Sequence, residues 1–506
     1  AKLEKIVKFA RSKSESTLES QEGWLGNTVS PQTSARGSRM LATALFRQGR
    51  VRLRPQAVGC FRGIKTLPPA DEVNEDDGEN PRAAGQHKTP IVNLLWELRD
   101  AAKRQRRSEV KREKSLRKPE ELEELVAQEP MATEVAYNFT KDSSLRDKYL
   151  NPWGNVRVGR IVEDLDALAG NIAFRHCSAT HANFDSVMLV TASIDRITMA
   201  HRAKVEHDIT LSGKVSWVGS SSMEIQMQAR SNWSDEPWLE ALFTFVARDK
   251  NSGRARRINP LQPVTEEEKE AFEDGRRRAE YRKLLRTQHK DAKLYRSHLE
   301  GILTSEASDE TAVITIEQAA EELYADSKPR LFMPSVAMKN RIPVSQTRHS
   351  NIFIMQPQQR NTAGRIFGGF LVRRAYELAY ATAYVFGGSV PRFREVDEVV
   401  FRTPVDVGDL VHFESCVLFT SKSLHKNPSI HVEVLASVVN PEATNTHVSN
   451  SFNFTFEVEG EQQRELCSVL PETREEALKM VTRFYGDIAQ KVEDEAHAAS
   501  KKKHSS

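Results

Sequence analysis

The residues best suited to do chemistry sit in a repeated frame. Asn361-Thr-Ala-Gly364-Arg365-Ile-Phe-Gly368-Gly369 runs straight into an apolar, Ala-rich stretch from Phe370 to Phe386. About 210 residues earlier, Asn151-Pro-Trp-Gly154-Asn-Val-Arg-Val-Gly159 runs into Arg160 to Ile172. In both, Asn is followed by Gly at plus three and at plus eight, where the apolar run starts. Seven residues further on the copies part: the first has Asp166, the second Tyr376. A carboxylate can take a proton from water or attack an electrophile itself, and the second copy has none at that place. Glycine at 368 and 369 lets another group come close to the backbone, and an N–H at the start of a helix, such as that of Gly369, favours negative charge. Asn361 offers an amide that can orient a water. Asp166 stands in an acidic cluster with Glu163 and Asp164, whose plain reading is a solvated helix face; Ile161, Val162, Leu165 and Leu168 argue for burial instead. Glu377, one residue past Tyr376, is a displaced alternative base, and its plain reading is a buried Glu paired with Arg373 or Arg374. His176 and His181 flank Cys177, with the spacing of neither a metal site nor a Cys–His nucleophile.

Two copies of one unit in one chain predict a pseudo-dimer in which each half completes the other's site. The elements that must hold these residues follow from periodicity. Val158 to Ala173 and roughly 370 to 386 predict helices apolar on nearly all faces, the second ending at Gly387-Gly388. In Met223 to Ala229, apolar and polar side chains alternate with period two, and Ala241 to Ala247 is a further apolar strand. Strands are also predicted at Val396 to Phe401, Leu410 to Phe419, Ile430 to Val438 and Phe452 to Val458, with Ala192 to Thr198 in the first copy matching Glu395 to Val400 in the second. A long buried helix followed by four or more antiparallel strands predicts an α+β unit whose curved sheet wraps its helix.

The chain of 506 residues exceeds one core. Its formal charge of +3 does not read as a nucleic-acid binder, although 28% of residues are charged and sit in blocks. Four cysteines without paired or metal-like spacing fit a reducing compartment. No apolar run is long enough to span a membrane. Met40-Leu-Ala-Thr-Ala-Leu-Phe opens an Arg-rich stretch with no acid before Asp71, the composition of a mitochondrial presequence. The division read from composition is an N-terminal extension at 1–90 with a presequence from Met40, a charged helical or disordered arm at 91–131, a first folded domain at 132–255, a charged helical connector at 256–345, a second domain at 346–485 and a disordered polar tail at 486–506.

These residues resemble the double-hotdog acyl-CoA thioesterases, mitochondrial branch, most strongly over Arg157 to Asp166, Gly213 to Met227 and Arg360 to Gly388. The resemblance implies two tandem hotdog domains forming an intrachain pseudo-dimer, and hydrolysis of fatty acyl-CoA to fatty acid and CoA in the mitochondrial matrix. It implies that an Asp on one central helix works with an Asn on the loop before the partner helix; by register these are Asp166 and Asn361, with the Gly369 N–H directed at the thioester oxygen. The reverse pairing, Asn151 with Tyr376, lacks the carboxylate, so one working site per chain is expected. Gly364, Arg365, Gly368, Ser421 and Lys422 are the expected substrate contacts, the basic ones for the phosphates of CoA. No cofactor and no metal are expected, and a ring of three chains is implied. Two other readings stay open: a hotdog subunit that binds acyl-CoA or serves structurally without turnover, and a nucleic-acid-associated structural protein using the basic runs near 103–118 and 276–298.

Overall fold

Each of the two repeated runs forms a helix of 20 residues, buried over most of its length because its Ile, Val, Leu, Ala and Phe side chains gain by leaving water. The computed structural model describes residues 90–97, 100–101, 104, 125–178, 187–288, 296, 299, 315–333, 340–361, 364–397, 399–422, 427–459 and 466–504. The first repeat contains β1 (Thr133–Tyr137), a short helix α1 (Ser143–Tyr149), the long helix α2 (Val158–Cys177), and strands β2 (Val187–Met199), β3 (Ile209–Val218), β4 (Ser222–Ser231) and β5 (Ser234–Asp249). Helices α3 (Glu266–Gln288) and α4 (Ile316–Phe332) belong to the connector. The second repeat contains β6 (Arg341–Pro343), β7 (His349–Ile354), the long helix α5 (Gly368–Gly387), and strands β8 (Arg392–Val396), β9 (Val399–Val400), β10 (Leu410–Ser421), β11 (Ser429–Asn440) and β12 (Asn445–Glu457). Strand β13 (Ser468–Leu470) and helix α6 (Arg474–His504) follow. The presequence read from Met40 lies outside the described residues.

The strands of the two repeats form one sheet of eleven, in the order β1-β3-β4-β5-β2-β8-β12-β11-β10-β7, with β9 paired to β2. The order reads the same from either end under exchange of the repeats, which is the signature of a pseudo-twofold axis at the β2–β8 seam. There Ile197 pairs with Val396 and Thr198 with Glu395, while Ser193 pairs with Val400. The two segments that matched in sequence are therefore also partners in space. What was predicted as one strand from Val396 to Phe401 is divided into β8 and β9, with Asp397 bonded through its N–H to the Asn453 carbonyl between them. The fold is α+β: two tandem hotdog domains, each a curved antiparallel sheet around a buried helix, with α2 and α5 in one continuous core.

On the axis the helices carry a charge pair. Glu163 and Arg373 occupy equivalent positions of the repeat, and their side chains meet at 2.8 Å with little exposure. Two identical copies would set like charges against each other here, so this pair favours repeat one with repeat two. Outside the sheet, α3 is highly polar and is held by ions rather than apolar burial. Arg278 and Arg282, one turn apart, reach the buried Glu224, and Arg282 also reaches Asp195 at 2.5 Å. Gly275 allows the approach: a Cβ there would sit 2.4 Å from Trp217 Cβ.

Two readings of the chain ends need correcting. The tail expected to be disordered from 486 continues as helix α6 through 504. Tyr485, Ile488 and Ala489 are buried, and Arg483 and Asp487 pair with each other at 2.8 Å while Asp487 meets His431 at 3.0 Å, so the helix is docked on the second repeat. In the arm, residues 90–97 are helical, with Ile91, Val92 and Leu95 buried in the core. The apolar run Ile91 to Trp96 is part of the folded unit rather than of a solvated arm.

Candidate active site between the two repeats

Helix α2 presents Asp166 to the first turn of α5 from the other repeat. The carboxylate is 1% exposed. Its Oδ2 accepts the Gly369 N–H at 2.7 Å, and its Oδ1 accepts the Thr191 hydroxyl of β2 at 2.9 Å. Only glycine permits this approach. A Cβ on Gly369 would lie 3.0 Å from Asp166 Cβ and 3.1 Å from the Glu163 Cα; one on Gly368 would lie 3.3 Å from Asp166 Oδ2 and 3.2 Å from the Phe401 ring. Burial pushes the Asp166 carboxyl up to about 6; the Thr191 and Gly369 hydrogen bonds pull it down, and the nearby Glu163 pushes it up. It is thus ionised over most of the neutral range yet basic enough to accept a proton. All three acidic residues of the α2 cluster are buried with partners: Glu163 on Arg373, Asp164 on the hydroxyls of Tyr137 and Tyr149 at 2.9 and 2.5 Å, and Asp166 as above.

The Gly369 N–H corrects one expectation. The sequence directs it at a substrate oxygen, and in the structure it donates to Asp166. The physical reason is the one that singled it out: a helix N-terminus stabilises an anion, and the buried anion here is the side chain of the facing repeat. Asn361 shapes the loop that leads into α5. Its Oδ1 accepts the Arg365 N–H at 3.2 Å, its carbonyl accepts the Gly364 N–H at 3.1 Å, and Gly364 takes φ +82°. The loop of the first repeat is built alike: Asn151 Oδ1 accepts the N–H groups of Trp153 and Asn155 at 3.0 and 2.9 Å, and Gly154 takes φ +78°. Arg365 is exposed beside Asp406 at 3.5 Å. The structure thus gathers Asp166, Gly368 and Gly369 directly and sets Asn361, Gly364 and Arg365 on the adjoining loop. Ser421 is different: it is buried at the end of β10, three strands beyond β8 in the sheet and opposite Ser429, with Lys422 next to it.

Comparison with known proteins decides the family. No family model matches. The mitochondrial acyl-coenzyme A thioesterase 4 of Humulus lupulus is 40% identical over 411 residues, covering 79% of this chain and 73% of its own. The chloroplastic acyl-coenzyme A thioesterase 2 of the same plant is 38% identical, covering 79% and 89%. The human mitochondrial acyl-coenzyme A thioesterase 9 is 36% identical, covering 68% and 74%. The chain belongs to the acyl-CoA thioesterase family. It is a thioester hydrolase, and the non-catalytic alternative falls away.

Within a thioesterase, the remaining candidates can be assigned. Glu377 is not a free base: burial pushes its carboxyl up, but Arg373 and Arg157 outweigh this and hold it below the usual range. Its oxygens meet Arg157 at 2.6 Å and Arg373 and Arg374 at 3.1 Å. His176 Nε2 is bonded to the Asn259 carbonyl at 2.8 Å, and burial pushes the Cys177 thiol up to about 12, so neither is a nucleophile in waiting. Tyr376, the counterpart of Asp166, is packed among Phe393, Phe454 and Phe456. Gly159 faces it as Gly369 faces Asp166, a Cβ there lying 3.1 Å from Tyr376 Cδ1. Sequence reasoning missed Thr191, Phe401 and the edge-to-face contact of Trp96 with Phe367 at 6.1 Å. Thr191, one of several polar residues in β2, carries no signal of its own; the run Ile91 to Trp96 does, and its place against Phe367, beside Gly369, comes only from the tertiary fold.

Proposed function

We propose that this thioesterase hydrolyses fatty acyl-CoA to fatty acid and CoA at one composite site per chain, with Asp166 of the first repeat as general base. The observation that supports this is the Asp166 carboxylate held across the repeat interface by Gly369 and Thr191 in a setting that raises its basicity. In this reading Asp166 takes a proton from water as the water oxygen bonds to the thioester carbon. The tetrahedral intermediate collapses with loss of the carbon–sulfur bond, and the proton passes from Asp166 to the departing thiolate. Asn361, through its amide, orients the water or the carbonyl, and the N-terminal turn of α5 favours the charge that develops. General-base action is preferred to direct attack by the carboxylate because each oxygen is already held by a donor, and a carboxyl near 6 is matched to proton transfer at neutral pH. Arg365, exposed on the loop into α5, is the residue offered to the phosphates of CoA, with Gly364 leaving open space beside it, while the place of a Gly368 side chain is taken by Asp166 and Phe401; Ser421 and Lys422 would reach only the far end of the molecule. A ring of three chains and a mitochondrial matrix location complete the proposal, the latter supported by the Arg-rich segment after Met40 and by the mitochondrial names of two relatives.

The test is release of free thiol from acyl-CoAs of short to long chain by the purified protein. Turnover with a definite chain-length preference is expected. A folded protein that releases no CoA from any of them would return the chain to the binding or structural reading.

A further inference from the structure

The pseudo-twofold axis gives the Asp166 site a counterpart, and that counterpart is a pocket rather than packed core. It encloses about 30 Å³ and is lined by Trp153, Arg202, Trp238, Tyr376, Tyr380 and Phe393, among others. That is room for about two water molecules, which suits a small polar head and not a whole ligand. Its chemistry is the reverse of that at Asp166. None of its lining residues is Asp or Glu. It offers a cation and several donors instead: the Arg202 guanidinium, the hydroxyls of Tyr376 and Tyr380, and the Trp238 indole.

One of these groups lacks an acceptor, and another is held only at long range. Trp238 is 0% exposed, and its Nε1–H has no acceptor among the described residues. A buried donor in that state is a rare and unfavourable feature unless something occupies the site. Arg202 is only loosely engaged, at 3.5 Å from the Val390 carbonyl and 3.6 Å from Glu459, with a third of its side chain exposed. Burial pushes the Tyr380 hydroxyl up to about 12 and raises that of Tyr376 as well, so both stay protonated and able to donate. The half-exposed ring of Trp153, which lines the pocket, stands edge to face with that of Tyr384 at 5.7 Å, and the two add an apolar surface. A group that answers a cation and an indole N–H, with an apolar body behind it, is an anionic head on a hydrocarbon chain.

We propose that this second pocket binds the carboxylate of an aliphatic acid, without turnover, on Arg202 and Trp238. The choice of acid rests on the hydrolysis proposed for Asp166, since a fatty acid is its product. The site at Asp166 would release such a product, because like charges repel there, and the second pocket would hold it.

Equilibrium dialysis of radiolabelled decanoate against the full chain tests this, with and without a saturating non-hydrolysable decyl thioether of CoA. The same is done for Arg202→Gln and Trp238→Phe, and thiol release from decanoyl-CoA is measured for each protein. The expected result is one decanoate per chain that the thioether does not displace, weakened about tenfold or more by either variant as a charge-assisted contact is lost, with thiol release little changed. Displacement of decanoate by the thioether, no binding up to millimolar concentration, or equal binding by wild type and the partly exposed Arg202→Gln would each overturn the proposal. Its failure is distinct from failure of the Asp166 reading, which shows as absent thiol release by the wild type.

Discussion

Replacing Thr191 by Val should shift the pH dependence of the reaction without abolishing it. The two side chains have nearly the same shape, and the change removes only the hydroxyl that donates to Asp166 Oδ1 at 2.9 Å. That hydrogen bond favours the ionised carboxylate, and it is one of two that hold the Asp166 carboxyl down to about 6 against the upward push of burial. A hydrogen bond to a charged group is worth about 1.5–3 kcal/mol, and about 1.4 kcal/mol moves a titration by one pH unit. Because Thr191 is only half-buried, the lower figure applies, which places the acid limb of kcat/KM near pH 7 in the variant against about 6 in the wild type. Near pH 6 the ionised fraction, and the rate with it, should fall about fivefold, and near pH 9 the two enzymes should converge. Thiol release followed from pH 5 to 9 measures this directly. An acid limb that stays in place or moves down would mean that the titrating group is not Asp166, or that Thr191 does not bond to it in the working enzyme.

Other outcomes follow from the same contacts. Asp166 has a carboxyl raised in the folded state, so its ionisation opposes folding: the native state loses stability as pH rises through about 6, and full stability is present only below the unfolded value near 4. Asp166→Asn should therefore raise the Tm at pH 8 by the equivalent of about 2–3 kcal/mol and confer little at pH 4; thermal unfolding at the two pH values checks this, with equal gains at both as the contrary result. Gly369→Ala should cost about 1–3 kcal/mol of stability by overpacking together with most of the activity, because Asp166, Phe367 and the Glu163 backbone all stand within 3.1 Å of the new methyl; denaturant melts and thiol release read both. Arg373→Glu should lower stability by about 3–5 kcal/mol, as expected for breaking a buried ion pair, and Glu163→Arg combined with it should recover part of the loss, the contact of Arg373 with Glu377 at 3.1 Å staying lost. A double variant no better than the single would deny the charge pair its part in matching the repeats.

Much of this is legible in the sequence. The Asn-to-Gly spacing of the repeat marks the loop and the helix start together, because the glycines answer two separate demands. Gly154 and Gly364 take positive φ in the loop, and Gly159 and Gly369 admit a facing side chain. Period-two alternation marks β4 and β12, since one face of each is buried, and the apolar run Ala241 to Ala247 marks β5. What stayed hidden depends on contacts far apart in sequence. Thr191 reaches Asp166 at an irregular point of β2, where the pairing with β5 shifts between Thr191 and Ser193, and no local pattern announces such a shift. That the Gly369 N–H meets a carboxylate of the other repeat follows from how α2 and α5 cross, which neither helix encodes alone. The reach of helix α6 is hidden because, from 486 on, polar residues outnumber Ile488 and Ala489, which continue the buried face that Ala477, Met480, Val481, Phe484 and Tyr485 begin. In the same way, Glu377 looked available for catalysis until Arg157, 220 residues away, proved to hold it.

The most direct test of the account compares thiol release by wild type and Asp166→Asn on the preferred acyl-CoA, both shown to be folded by circular dichroism. Asparagine fits the site, accepting the Gly369 N–H through Oδ1 and donating to the Thr191 hydroxyl, so binding and fold are kept while the base is lost. The account predicts a fall in kcat of about 10²–10⁴, the usual contribution of a positioned general base, with KM little changed. Turnover within a few-fold of wild type would place the chemistry elsewhere and contradict the composite site.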